Sequence, residues 1–228
     1  MSRYRLLLAL AFAAVWTWAA VAPLFRQDWL LENLLVFLFV PLVLLTGRYF
    51  RLSNLSYTLV TLFLALHVVG SHYTYAHVPF GETLKDWFGA SRNMYDRLVH
   101  FAFGLLMAYP MREMFVRVTR ARGFWGYSLP VELTLAFSAL YEVIEWLTAA
   151  SVDPEAGLAF LGAQGDPWDA QKDMLLAGIG ACVAMLATAA VHVALEPRAC
   201  LRELRESLRL PAGDAPLGEG RLKELLRR

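Results

Sequence analysis

Long apolar stretches, separated by short polar segments, occupy most of the first 195 residues of the chain. A helix needs about 20 apolar residues to cross the hydrocarbon core of a bilayer. Six stretches approach this length: residues 6–25, 30–46, 55–70, 98–111, 129–149 and 174–195. The fourth is the shortest, and we expect its helix to begin earlier, near Tyr95 and Asp96. The pattern predicts an all-α bundle of about six transmembrane helices.

The first stretch also has features of a secretory signal. Arg3 and Arg5 precede it, and the triplet Ala20-Val21-Ala22 follows it. Pro23 comes directly after that triplet and disfavours cleavage. We therefore interpret this stretch as a retained membrane span.

Basic residues predict the orientation of the bundle, because Lys and Arg are enriched in cytoplasmic loops. With the N-terminus inside, the inner segments hold Arg3, Arg5, Arg48, Arg51, Arg112, Arg117, Arg120, Arg122 and the basic C-terminal segment, and the outer segments hold Arg26, Lys85, Arg92, Arg97 and Lys172. Both ends of the chain are therefore predicted to lie in the cytoplasm. We divide the chain into a transmembrane bundle (1–196) and a cytoplasmic basic tail (197–228), in which residues 198–210 have an amphipathic helical pattern.

Composition supports the membrane prediction. Hydrophobic residues make up 58% of the chain and charged residues 18%, whereas roughly a quarter of the residues in soluble domains are charged. The lipid bilayer is therefore an expected partner. Cys182 and Cys200 have no spacing typical of a disulfide framework or a metal site. No motif for nucleic-acid binding is present, so we expect no nucleic-acid partner.

Polar residues of the predicted spans concentrate at the outer face. They form three pairs at helical spacing: Asp96 with His100, Glu142 with Glu145, and Asp169 with Asp173. Residues three or four positions apart share one face of a helix. If those faces point into the bundle, the pairs meet in one polar pocket. Asp166, followed by Pro167, has the pattern of a helix N-cap.

Two kinds of chemistry fit these residues. A charged side chain at the centre of a span costs about 2.5–3.5 kcal/mol on insertion scales, so the carboxylates need partners. Carboxylate and imidazole groups suit Zn²⁺ or Mn²⁺, and the predicted metal ligands are His100, Glu142, Glu145, Asp173, His67 and His72. General acid–base catalysis is the other use, and the predicted catalytic residues are Asp96, His100, Glu142, Glu145, Asp169 and Asp173.

Four sequence blocks occur in order along the chain. They are HVVGSHYTY at 67–75, YDRLVHFAFG at 95–104, YEVIEW at 141–146 and GDPWDAQKDM at 165–174. In this combination, residues 1–195 resemble the YjdF-like family of bacterial inner-membrane proteins. The resemblance implies a multi-pass protein of the inner membrane, and it supplies no reaction. More distantly, the last three blocks resemble the VanZ-like membrane proteins, which are associated with glycopeptide resistance.

Three functions agree with these observations. The first is a metal-dependent enzyme that acts on a lipid or an envelope precursor at the outer leaflet. The second is a proton- or cation-coupled transporter, in which the carboxylates bind the coupling ion. The third is a structural or accessory membrane protein, whose polar groups only hold the helices together.

Overall fold

The computed structural model describes residues 2–152, 157, 163–209 and 218–227, and within these ranges the chain is helical and contains no strand. The α-helices are, in chain order, α1 (Arg3–Ala20), α2 (Arg26–Thr46), α3 (Asn54–His72), α4 (Pro79–Phe88), α5 (Tyr95–Met114), α6 (Gly123–Ser151), α7 (Asp169–Leu195), α8 (Pro197–Ser207) and α9 (Glu219–Leu225). A π-helical segment, Phe115–Thr119, continues α5. The predicted all-α fold is confirmed.

Four of the described helices are long and apolar enough to cross a membrane: α2, α3, α6 and α7. Helix α5 is also 20 residues long, but it contains Asp96, Arg97, Arg112 and Glu113. Helix α1 has 18 residues and begins with Arg3. The structure therefore contains several apolar spans, and the count of about six with both ends inside stays a prediction.

Helix boundaries differ from the predicted ones where local backbone chemistry intervenes. Helix α1 ends at Ala20, before the predicted residue 25, because Ala22 has a left-handed φ of 48° and Pro23 follows. Helix α4 is absent from the predictions, since its ten residues are too few to cross a bilayer. Helix α5 begins at Tyr95, as expected from the short fourth stretch.

Helix α5 lies at the centre of the bundle and packs against α3, α6 and α7. Its closest approach is to α7, where glycines allow the two backbones to meet. A Cβ atom on Gly104 would overlap the carbonyl oxygen of Ala177, and one on Gly180 would overlap that of Phe101. Small residues at such crossings are typical of membrane helix packing. The crossing fixes α7 beside the helix that carries Asp96 and His100.

The carboxylate of Glu113 holds the opposite end of α5 in place. Glu113 accepts hydrogen bonds from the backbone N–H of Ser53 (2.8 Å) and the hydroxyl of Ser56 (2.5 Å). It also pairs with Arg117 at 2.5 Å. Because Ser53 is the N-cap of α3, Glu113 joins the end of α5 to the start of α3.

Helix α8 is bonded to the beginning of α6. The hydroxyl of Ser207 accepts from the backbone N–H of Phe124, and its carbonyl oxygen accepts from the indole of Trp125, both at 2.9 Å. Cys200 of α8 is buried. The amphipathic helix predicted at 198–210 therefore packs on the bundle, and its cytoplasmic position stays a prediction.

Replacement of Gly180 by alanine should destabilise the protein, because the new methyl group meets the backbone of α5. Overpacking of this kind costs about 1–3 kcal/mol. Gly178→Ala is the matched control, since its Cβ would meet only the flexible end of Leu135. Thermal unfolding of the detergent-purified variants measures the difference. Equal unfolding temperatures for the two variants would show that the crossing tolerates a methyl group.

The predicted orientation can be tested with reporter fusions. Alkaline phosphatase needs an oxidising compartment to form its disulfides. We expect activity when it is fused after Ala90 and none when it is fused after Arg209. Green fluorescent protein fused at the same positions is the reciprocal control. Phosphatase activity of the Arg209 fusion would contradict the cytoplasmic tail.

Candidate functional site

Two arginines tie α5 to the start of α7 at the end of the bundle that we call the outer end, after its predicted orientation. Arg92 is buried and pairs with Asp169 and, at 3.3 Å, with Asp96. Arg97 pairs with Asp169 at 3.1 Å. Asp169 therefore accepts from both guanidinium groups. Because both arginines bind its carboxylate, Asp169 is suited to a positioning role. Its predicted catalytic role stays a prediction.

Asp166 lies beside this network, on the segment that precedes α7. Its Oδ2 accepts from Lys172 at 2.6 Å and from Arg97 at 2.7 Å, and its Oδ1 accepts from the backbone N–H of Trp168 at 3.1 Å. The hydrogen bond from Lys172, helped by the other two donors, lowers the pKa of Asp166 to about 2. The prediction that Asp166 caps α7 is wrong, because the helix begins three residues later and Trp168 is its N-cap.

A second set of polar side chains lies one helical turn deeper, and we call Asp96, His100, Glu142 and Asp173 the outer cluster. Among the described residues, ligand atoms of Asp96, His100 and Asp173 lie within 4.8 Å of one another. The Nε2 atom of His100 is 3.7 Å from Asp96 and 3.4 Å from Glu142. The packing of α5, α6 and α7 thus brings residues of three helices together.

Two oxygen atoms of the outer cluster lack hydrogen-bond partners within the described part of the chain. They are Oδ1 of Asp173 and Oε1 of Glu142. Asp173 is 2% exposed, so bulk water does not solvate its carboxyl group. Buried polar atoms are nearly always paired, and an exception requires an explanation such as a missing ion or water. The cluster therefore has capacity for a ligand.

Glu145 joins the cluster to α2. It interacts electrostatically with Glu142 and with Glu32. Glu32 is buried, and its Oε2 accepts a hydrogen bond of 2.9 Å from the hydroxyl of Tyr141. The sequence analysis missed Glu32, although a carboxylate next to Asn33 inside an otherwise apolar span is a signal that could have identified it.

The two histidines of α3 already have partners. In His67, Nε2 donates to the carbonyl oxygen of Glu32 (3.0 Å) and Nδ1 accepts from Tyr75 (2.5 Å). In His72, Nδ1 donates to the carbonyl oxygen of Ala19 at 3.0 Å, and the ring stacks on Trp18. Neither histidine is part of the outer cluster, and their predicted role as metal ligands stays a prediction.

A cavity of about 300 Å³ extends from the outer cluster into the bundle. Side chains of α2, α3, α5 and α6 line it. Asp96, His100 and Tyr141 lie at its outer end, whereas Phe103 and Met107 belong to its apolar remainder. The volume is at the lower end of the range for small-molecule sites, which is about 300–1,000 Å³.

Most of the chain matches a known family of membrane proteins. The family described as "Predicted membrane protein (DUF2238)" matches residues 4–194. The chain belongs to this family. Inner membrane protein YjdF of Escherichia coli (strain K12) is 40% identical over 185 residues, which cover 81% of this chain and 88% of that protein. No solved structure matches the chain.

The predicted resemblance and the inner-membrane location are thereby confirmed. The distant resemblance to VanZ-like proteins stays a prediction. The family match ends at residue 194, within the last turn of α7. All residues of the outer cluster therefore lie inside the part of this chain that matches the family, and α8 lies outside it.

The segment between α3 and α5 also holds polar residues that the sequence analysis did not identify as important. Asn93 is buried and donates to the carbonyl oxygen of Val78 (3.0 Å) and to Glu82 (2.9 Å). Its backbone N–H donates to Gln164 at 2.9 Å. These bonds hold α4 and the segment before α7 in place beside Arg92.

The Asp166 contacts predict a pH-dependent contribution to stability. The folded-state pKa is below the ordinary value of 3.8, so the stabilisation is present above that value and is lost as the pH falls through about 2. At neutral pH, Asp166→Asn should unfold at a lower temperature than the wild type, and the gap should close at acidic pH. Asp86→Asn, at an exposed carboxylate of α4, is the control. A difference in unfolding temperature that stays constant with pH would contradict the lowered pKa of Asp166.

Proposed function

We propose that the protein is a metal-dependent enzyme that hydrolyses an ester, amide or phosphoester bond in a lipid or envelope precursor at the outer face of the membrane. The observation that carries the proposal is the outer cluster. Ligand atoms of Asp96, His100 and Asp173 lie within 4.8 Å of one another, and the buried Oδ1 of Asp173 has no partner among the described residues.

The ligand types suit a divalent cation. One imidazole nitrogen and two carboxylate oxygens form the kind of three-ligand set that leaves a coordination position for water on zinc. Hard oxygen donors also suit Mn²⁺. A cation would neutralise Asp173, whose charge is otherwise costly at this depth of a membrane protein, and would share Asp96 with Arg92.

Glu142 is placed to act as the general base. Its Oε1 has no hydrogen bond within the described residues and lies 3.4 Å from Nε2 of His100. A divalent cation lowers the pKa of bound water towards neutrality. Glu142 would take a proton from that water while the water oxygen bonds to the carbonyl carbon or phosphorus of the substrate. The same proton would pass to the leaving oxygen or nitrogen as the scissile bond breaks.

The position of the polar groups favours an enzyme over a carrier. Transporters usually bind substrate and coupling ion near the midplane, between two halves that alternately open. The described polar residues of the cavity lie mostly at its outer end, and Met107 and Met111 line the deeper part. An ion-coupled carrier needs a continuous polar path across the bundle. The described lining residues of the cavity do not form such a path.

Metal content tests the proposal. Wild-type protein, purified in detergent without chelators, should contain about one equivalent of a divalent metal per chain, and plasma mass spectrometry measures it. His100→Ala and Asp173→Asn should lose the metal while they elute as folded protein, because each removes one ligand. Asp86→Asn is the control, since it removes a carboxylate from the exposed face of α4.

The outcomes separate the three candidate functions. Wild-type protein without metal, even after incubation with Zn²⁺ and Mn²⁺, would contradict the enzyme proposal. Proton or cation flux in vesicles that Glu145→Gln abolishes would indicate a carrier. Loss of folding alone in every variant of the cluster would indicate a structural network, because truncation leaves buried partners unsatisfied.

A further inference from the structure

The cavity beneath the outer cluster has the length of one membrane leaflet. Its lining on α5 extends from Asp96 to Met111, and the part below His100 is about 16 Å long at 1.5 Å per residue. Half of the hydrocarbon core of a bilayer is about 15 Å thick. Apart from the polar groups at the outer end, the lining is almost entirely hydrocarbon. The cavity therefore fits a hydrocarbon chain better than a polar metabolite.

The cavity also reaches the lipid-facing side of the bundle. Leu42 of α2 and Phe137, Leu140 and Ile144 of α6 line it, and these four side chains are about half exposed. Both helices are apolar enough to cross a membrane. Their exposed side chains therefore face hydrocarbon, and the cavity is accessible from the bilayer between α2 and α6.

The packing of the helices explains why a gap exists there. Helix α2 packs chiefly on α3, whereas α6 packs on α5, α7 and α8. The hydrogen bond of 2.9 Å between Tyr141 and Glu32 joins α2 to α6 at the outer end. Below that bond, the two helices form opposite walls of the cavity. A chain can enter from the side while its polar end stays near His100.

We propose that this cavity binds one fatty-acyl chain of a phospholipid from the outer leaflet, with the ester end of the chain at Asp96 and His100. An apolar cavity of this volume without an occupant would forfeit the contacts of its lining atoms, and the adjacent bilayer supplies acyl chains at high concentration. The cavity ends at Met111, which suits a chain confined to one leaflet. A polyprenyl chain is much longer than the cavity, so most of it would lie outside.

The inference deepens the proposed function, because it names a phospholipid as the substrate class. It rests on that function only for the hydrolysis of the ester bond. Binding of the chain itself needs no metal, so the two can be tested separately.

Photo-crosslinking tests the inference. Purified protein is placed in nanodiscs of phosphatidylglycerol that carries a diazirine at the end of one acyl chain, irradiated, digested and mapped by mass spectrometry. We expect adducts on Met107 and Met111, which are buried and out of reach of lipid that only surrounds the bundle. Adducts confined to exposed residues such as Leu175 and Val183 would overturn the proposal.

Variants of α6 provide the matched comparison. Ser138 lines the cavity, is 2% exposed, and its hydroxyl has no hydrogen-bond partner among the described residues. Ser138→Phe should fill the cavity and abolish the adducts on Met107 and Met111. Ser138→Leu is a smaller replacement should the first variant fail to fold. Val143→Phe, on the exposed side of the same helix, should keep the adducts, and their loss in this control would count against the proposal.

The same experiment separates failure of chain binding from failure of the metal site. Adducts that persist in Asp173→Asn and after treatment with chelator support the chain site, whatever the metal content. Absence of adducts in wild-type protein that contains its metal overturns the chain site and leaves the metal proposal standing.

Discussion

A carboxylate in the hydrocarbon region of a membrane is tolerated only when the protein supplies a partner, and in this protein the partners are placed by the pairing of α5 with α7. The helices meet at Gly104 and Gly180, where no Cβ atom fits between the backbones. That contact brings Asp173 to His100, and Arg97 to Asp169. If the crossing were wider, these charged groups would face lipid without counterparts.

The ion pairs of the outer end balance one another in charge. Three basic side chains (Arg92, Arg97 and Lys172) contact three acidic ones (Asp96, Asp166 and Asp169). Asp173, Glu142 and Glu32 are additional acidic groups, and each of them interacts electrostatically with Glu145. This excess of carboxyl groups is the electrostatic reason to expect a bound cation or bound protons, and it underlies both the enzyme and the carrier hypotheses.

The sequence predicted the features that depend on local spacing. Hydropathy located the long helices, and separations of three and four residues placed Asp96 with His100 on one face of α5. Contacts between distant segments were not predictable in this way. Arg92 precedes α5 by only a few residues, yet its pairing with Asp169 depends on how α7 packs. The engagement of both ring nitrogens of His67 depends on α2 and on Tyr75.

The position of Asp166 was also misinterpreted, because its contacts are not evident from the sequence of its own segment. Its position before Pro167 is typical of an N-cap, but Lys172 and Arg97 bind its carboxylate, and the helix begins at Asp169. Glu32 was missed although Asp28 lies four residues before it at helical spacing, because its contacts with α6 cannot be inferred from the local sequence. Its partners, Tyr141 and Glu145, are more than a hundred residues away.

Helix α5 is fastened by polar contacts at both ends, through Arg97 at one and Glu113 at the other, so it cannot slide along the membrane normal. Helices α2 and α6 have more exposed side chains than α5. When a bilayer becomes thinner or thicker, transmembrane helices adjust by tilting, and in this bundle we expect α2 to tilt most, because it packs chiefly on α3 alone. We therefore expect lipid chain length in the host membrane to change the spacing between α2 and α6.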